Sequence, residues 1–217
     1  MSFRNFVTDM DPNDFCEFVD DFHGYTATDW VITTTEAGTG SATEVVQDES
    51  FGVLKLTNAA GDNDNDFLQL AKETVKFVAG KRLYFGARFK VLEAIQCDWV
   101  MGLQIRDTSP LAVTDGVWFG SDDGDALIDF HVAKDSTQTD VVDVGTMPAD
   151  TYQTLELYYD GSTAGRIQII VNGMRVGAAA LTNMVDDEEL TLSFGIQNGQ
   201  AVVNTMSVDY IRAVVER

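Results

Sequence analysis

Between residues 154 and 176 the stretch TLELYYDGSTAGRIQIIVNGMRV falls into three short runs, each closed by turn chemistry. Leu155, Leu157 and Tyr159 alternate with Thr154, Glu156 and Tyr158, the two-residue period of a half-buried strand. Asp160-Gly161 breaks that run. Ile167, Ile169 and Val171 resume the period and lead into Asn172-Gly173. Both central residues of a type I′ turn need positive φ, and Asn-Gly tolerates this best. The pair therefore predicts a tight hairpin whose return strand starts at Met174. Three antiparallel strands in 23 residues commit this part of the chain to a sheet meander.

The same period recurs on both sides. Strands are predicted within 15–25, 30–34, 67–70, 75–78, 141–144 and 190–196, and at Met206, Val208 and Tyr210. Residues 45–46 and 53–56 predict a hairpin across 48–52. In 81–91 (KRLYFGARFKV), Leu83, Phe85, Ala87, Phe89 and Val91 share one face, with Arg82, Tyr84, Arg88 and Lys90 on the other. Trp99, Met101, Leu103 and Ile105 repeat that pattern, and 117–119 with 127–132 form the next pair. Residues 181–189 read as a loop with room for one helical turn. Many short strands with almost no helical periodicity predict an all-β fold, a two-sheet antiparallel β-sandwich. A sandwich of this length forms one domain, 15–217. Ahead of it, 1–14 is expected to be an arm whose Phe3, Phe6, Val7 and Met10 contact a neighbour.

Charge narrows the partners. With 14 basic against 35 acidic residues the net charge is −21, and such a surface repels phosphate backbones, so nucleic acid is not an expected partner. No apolar run approaches the ~18 residues of a membrane helix, and the start lacks a secretion signal, so a soluble protein made in a cytoplasm is expected. Cys16 and Cys97 read as small apolar residues more than as a disulfide framework.

Three patterns carry a family resemblance: the opening FVDDFHGY followed by DW, the hairpin YYDG…IQIIVNGMRVG, and the closing strand SVDYIRAVV. Together they resemble concanavalin A-like (laminin-G and glucanase-type) jelly rolls. The resemblance implies that an early strand pairs with the last one in a single domain. It also admits sugar binders, glycan hydrolases and structural modules. Within that fold, the acidic sequence, the N-terminal arm and the missing secretion signal are similar to the head decoration (cement) proteins of tailed phages.

Catalytic chemistry is hard to find. A glycan hydrolase needs two carboxylates flanking one cleft, about 5–9.5 Å apart. In hydrolases of this fold they stand on one strand as Glu-x-Asp-x-Glu or a one-residue-longer form, and no such stretch occurs here. The acids of 186–189 are adjacent, and neighbours on a strand point to opposite faces. His23 and His131 lack further ligands for zinc, and no nucleophile elbow or phosphate loop appears. Asp62, Asp64 and Asp66 in AGDNDNDF, with Glu73 beyond, echo calcium-loop spacing, but Phe67 stands where an EF-hand needs Gly, and an Asp/Asn turn is the simpler reading of these residues. The turn at 121–125 (SDDGD) is a second such place. Calcium is thus the one candidate cofactor. Trp30, Trp99 and Trp118 belong to the core or to a sugar-stacking platform, with Trp118 the candidate for exposure.

The expectation is a non-enzymatic virion protein on the capsid exterior. It would bind the major capsid protein and itself, as a homotrimer. A carbohydrate-binding module is the alternative, followed by a glycan hydrolase.

Overall fold

A computed structural model describes residues 13–217, whose fifteen strands form two antiparallel sheets stacked face to face. The first, edge to edge, consists of β13 (Met174–Ala180), β12 (Arg166–Val171), β11 (Gln153–Tyr159), β6 (Leu83–Val91), β15 (Thr205–Glu216), β4 (Leu54–Thr57) and β3 (Thr43–Val46). β1 (Phe15–Asp20) makes it eight-stranded by pairing with the second half of β15, Phe15 opposite Glu216, while β4 pairs with the first half. This is the early-strand-to-last-strand pairing that the resemblance implies. The second sheet runs β10 (Thr137–Thr146), β9 (Leu127–Lys134), β8 (Gly116–Ser121), β7 (Cys97–Gln104), β14 (Thr191–Asn198), β5 (Asn65–Leu70) and β2 (Trp30–Thr35).

Alternation places the core. Leu83, Phe85, Ala87, Phe89 and Val91 of β6 are all buried in one cluster with Trp99, Met101 and Leu103 of β7. Phe89 and Trp99 meet edge to face with ring centroids 5.2 Å apart, a favoured aromatic geometry. Trp30 packs on Phe194 in the same way, at 5.2 Å. The hairpin of β12 and β13 has φ 51° at Asn172 and 74° at Gly173, as a type I′ turn requires. Asn172 Oδ1 also accepts the Thr154 N–H, which ties the turn to β11. A Cβ at Gly173 meets nothing within 4 Å, so Gly173→Ala costs backbone energy alone. A loss of about 1–2 kcal/mol is expected, read as a lower urea midpoint at unchanged slope.

Three expectations need correction. The bulge between Val208 and Tyr210 inserts Asp209 and reverses the phase of β15. Ile211 and Ala213 therefore enter the core and Tyr210 turns outward, half-buried. Residues 75–78 form no strand: Val75 makes a single bridge to Leu190, and Phe77 plugs the core against Tyr159. Residues 181–189 contain no helical turn. The arm residues Phe3, Phe6, Val7 and Met10 lie outside the described residues. Among the described residues no helix is long and apolar enough to cross a membrane.

Both cysteines are free, Cys16 exposed and Cys97 buried. Burial pushes the Cys97 thiol up to about 12, so it is neither accessible nor ionised at neutral pH. A thiol reagent should titrate one group per chain in the native protein and a second only after denaturation.

Candidate functional site

The seven-stranded sheet turns one face to the core and the other outward, and the outward face carries a row of polar and aromatic side chains. Across it run His131 of β9, Trp118 of β8, Gly102 of β7, Ser193 of β14 and Gln69 of β5, each opposite the next in register. Small residues sit beside large ones. A Cβ at Gly102 would collide with the Trp118 backbone at 2.5 Å, and one at Gly195 with the Phe67 ring at 2.4 Å.

Much of this face is roofed by the chain itself. Residues 105–115, between β7 and β8, fold back over it as a strap with one 3₁₀ turn at Pro110–Ala112. Ile105, Leu111 and Val113 of the strap pack on Phe67, Val100, Trp118 and Ala133. Two buried glutamines fasten it from below. Gln104 Nε2 donates to the Pro110 carbonyl at 3.0 Å. Gln69 Nε2 donates to the Ile105 carbonyl at 3.0 Å, and Gln69 Oε1 accepts the Asp107 N–H at 2.9 Å. Sequence reading missed this roof. Its only trace there is a set of apolar residues inside an otherwise polar turn, SPLAV, with Gln at two outward strand positions.

Trp118 is therefore not an exposed platform. It is 4% exposed, with the strap cluster to one side and His131 stacked on it at 5.1 Å with planes 29° apart. The expectation failed because Val117 and Phe119 face the core while the strap covers the residue between them. Trp30 and Trp99 are core residues.

Beside the roof, a pocket of 110 Å³ opens between Trp118, Gly120, Asp122, His131 and Gln138. His131 Nδ1 lies 2.8 Å from Asp140 Oδ1, to which Gln138 Nε2 also donates at 2.7 Å. A carboxylate acceptor at Nδ1 places the neutral ring's proton there and leaves Nε2 as an acceptor. Nε2 faces the space above Gly120, 3.2 Å from where a Cβ would stand. This dyad can accept a hydrogen bond from a hydroxyl or amide. On β7 the outward positions Asp98, Val100, Gly102 and Gln104 include a single carboxylate. Burial first, then the nearby charges of Asp122 and Asp123, raises the pKa of Asp98 against the hydrogen bond from the Asp123 N–H.

The three aspartates of the calcium reading do not converge. Asp62 is exposed. The buried Asp64 carboxylate takes the backbone N–H groups of Ala37, Gly38 and Gly61 at 2.6, 2.9 and 2.8 Å, and these bonds lower its pKa. It is the centre of a polar knot in which Asn58 and Asn198 bind the carbonyls of Asp64, Ile196, Ala59 and Gly61. Asp66, two residues on, is buried on the core-facing side of β5, opposite Ile196 of β14. At 121–125, Asp125 accepts the Leu127 N–H as a turn acceptor. Among the described residues no three His, Cys, Asp or Glu side chains group as metal ligands.

No family profile and no curated protein matches the sequence. Solved structures do match in shape. An endo-1,3-β-glucanase from Streptomyces sioyaensis aligns with TM-score 0.67 at 13% identity, over 96% of this chain and 99% of that one. A protein of unknown function from Shewanella oneidensis MR-1 aligns with TM-score 0.64 at 14% identity, over 94% and 87%. The potassium-bound carbohydrate recognition domain of Emp46p aligns with TM-score 0.59 at 10% identity, over 89% and 93%. Identities this low carry the fold and no further. With its two antiparallel sheets and these neighbours, the chain has the concanavalin A-like jelly-roll fold.

Proposed function

We propose that the protein works by adhesion without turnover, as a decoration subunit that binds a capsid lattice and other copies of itself. The observation that carries this reading is the strap over the seven-stranded sheet. It leaves pockets of 110 and 220 Å³ on that face, below the roughly 300–1,000 Å³ of sites that bury a ligand.

A surface for adhesion stands at one end of the sandwich. Leu92, Ile95, Val202 and Val203 are each 46–49% exposed there. Their loops are bound together: Leu92 N–H donates to the Thr205 carbonyl, and Asn204 exchanges hydrogen bonds with the backbone of Glu93. Loop 122–125 joins them through Gly124 N–H to the Ile95 carbonyl. The charged residues of these loops are Glu93, Asp122, Asp123 and Asp125, all acidic. An apolar knob in an acidic collar fits a partner with an apolar socket rimmed by Lys and Arg. Quantitative mass spectrometry of gradient-purified virions tests the reading. A fixed, high copy number relative to the major capsid protein is expected; absence from virions overturns it.

The dyad pocket favours one second reading, carbohydrate binding, because His131 Nε2 can accept a sugar hydroxyl beside an aromatic ring. Neighbours of the same fold include a glucanase and a carbohydrate recognition domain. A glycan array on which His131→Ala abolishes a signal would favour it over adhesion; a blank array would remove it.

A further inference from the structure

Away from the strapped face, a pocket of about 320 Å³ opens at the lateral edge where β1 of the first sheet meets β2 and the end of β5 of the second. That volume lies within the roughly 300–1,000 Å³ of sites that take a ligand. We propose that this pocket receives the Arg175 side chain of a second copy of the chain, so that copies join head to tail through the tip of the β12–β13 hairpin. The inference deepens the self-association half of the proposed function and rests on it.

The pocket joins an apolar floor to a negative rim. Phe18 and Trp30 meet edge to face across the two sheets, with ring centroids 6.5 Å apart, and Leu70 lies beside them. All three pack in or against the main core, so the floor is preformed. Asp20 and Asp29 supply the carboxylates. Asp20 Oδ1 accepts the Phe22 N–H at 2.7 Å, which fixes that carboxylate in place. Among the described residues neither aspartate has an ion-pair partner. Lys72 also lines the pocket, and against two carboxylates it leaves the rim negative. Burial raises the Asp20 pKa against the Phe22 hydrogen bond, and the charges of Asp21 and Asp29 raise it further. An incoming cation relieves that repulsion.

Charge selects the occupant. Copies of a chain at net −21 repel one another, so a self-contact needs a cation of one copy against carboxylates of the next. Arg175 is exposed and has no ion-pair partner among the described residues. It follows Met174, which is 68% exposed, just past the turn. The tip is held firmly, since Asn172 Nδ2 donates to Gln153 Oε1 at 2.6 Å in addition to the Thr154 bond, so little freedom is lost on docking. In the pocket the guanidinium meets the carboxylates, while its stem and Met174 cover the apolar floor. Lys55, by contrast, lies within a sheet face, on a strand paired on both sides. The tip and the pocket also stand on opposite lateral edges. β13 ends its sheet beside β10, where a Cβ at Gly177 would lie 3.8 Å from Val141, whereas β2 ends the other sheet on the far side. A contact between two such edges is heterologous, and it builds a ring where the rotation closes.

The test is sedimentation-velocity ultracentrifugation of the full chain, without capsids, over a series of concentrations. The wild type should self-associate. Arg175→Ser at the tip and Asp29→Arg at the rim should each weaken association by roughly tenfold or more. Arg166→Ser, the same change at the foot of the hairpin, should leave it unchanged. All three positions are exposed, and unchanged melting temperatures show that the variants fold. A mixture is the decisive arm. Arg175→Ser keeps its pocket and Asp29→Arg keeps its tip, so the two together should form a one-to-one complex that neither forms alone. A monomeric wild type, association that survives both substitutions, or a mixture that stays monomeric overturns the inference. Capsid binding is read separately. A protein that binds capsids yet never self-associates overturns this inference alone, and a head-to-tail complex that binds no capsid overturns the capsid reading alone.

Discussion

Asp64→Ala is expected to lower the melting temperature by roughly 10 °C or more, while Asp62→Ala, two residues earlier, leaves it unchanged. The exposed Asp62 can be lost to solvent without consequence. Asp64 cannot, because its carboxylate is the shared acceptor for the N–H groups of Ala37, Gly38 and Gly61. Its removal leaves those donors unpaired around a buried cavity. Asn58 and Asn198 bind the same loop backbone, so the knot couples 37–38, 58–64 and 196–198. The effect also has a pH signature. The hydrogen bonds lower the Asp64 pKa, so its contribution is present above the ordinary aspartate range, about 4, and is lost as pH falls through the lowered value. Differential scanning calorimetry of both variants at pH 7 and pH 3 should show the gap between wild type and Asp64→Ala narrowing in acid. Equal melting temperatures at pH 7 would contradict the staple role.

The second large effect is expected at Trp118. Truncation to alanine should cost about 3–5 kcal/mol, the usual range for a buried Trp, since the ring is 4% exposed and braces the strap. It should also loosen the roof. Arg106 sits in the strap, with its N–H on Glu73 and its guanidinium on the Ala71 carbonyl. Trypsin should therefore cut after Arg106 in Trp118→Ala far faster than in the wild type, and Trp118→Phe should restore most of the protection. Unchanged cleavage in the alanine variant would mean that the strap holds without the ring.

Most of the fold could be read from the sequence because strand burial leaves a two-residue period. Leu83 to Val91 and Leu155 to Tyr159 show it cleanly, and Asn172-Gly173 marks its hairpin. The misreadings have separate physical causes. At β15 one extra residue, Asp209, reversed the phase, and no local composition signals a bulge there. Trp118 and Asp66 were misplaced because the second sheet is covered on both faces, by the core and by the strap. Where both faces are covered, apolar residues occupy both phases of the period, and parity no longer tells inside from outside. Asp66 takes a core-facing position between residues that look alike on either side. His131 and Asp140 are joined only once β9 and β10 pair. Contacts between strands distant in sequence leave no spacing pattern to find.

The most direct measurement is cosedimentation of the purified protein with capsids prepared without it, over a range of salt. Saturable binding at a fixed number of copies per capsid, weakened by salt and by Val202→Asp with Val203→Asp, is the result the account predicts. No cosedimentation at any salt, together with release of reducing ends from a polysaccharide by the same preparation, would contradict it.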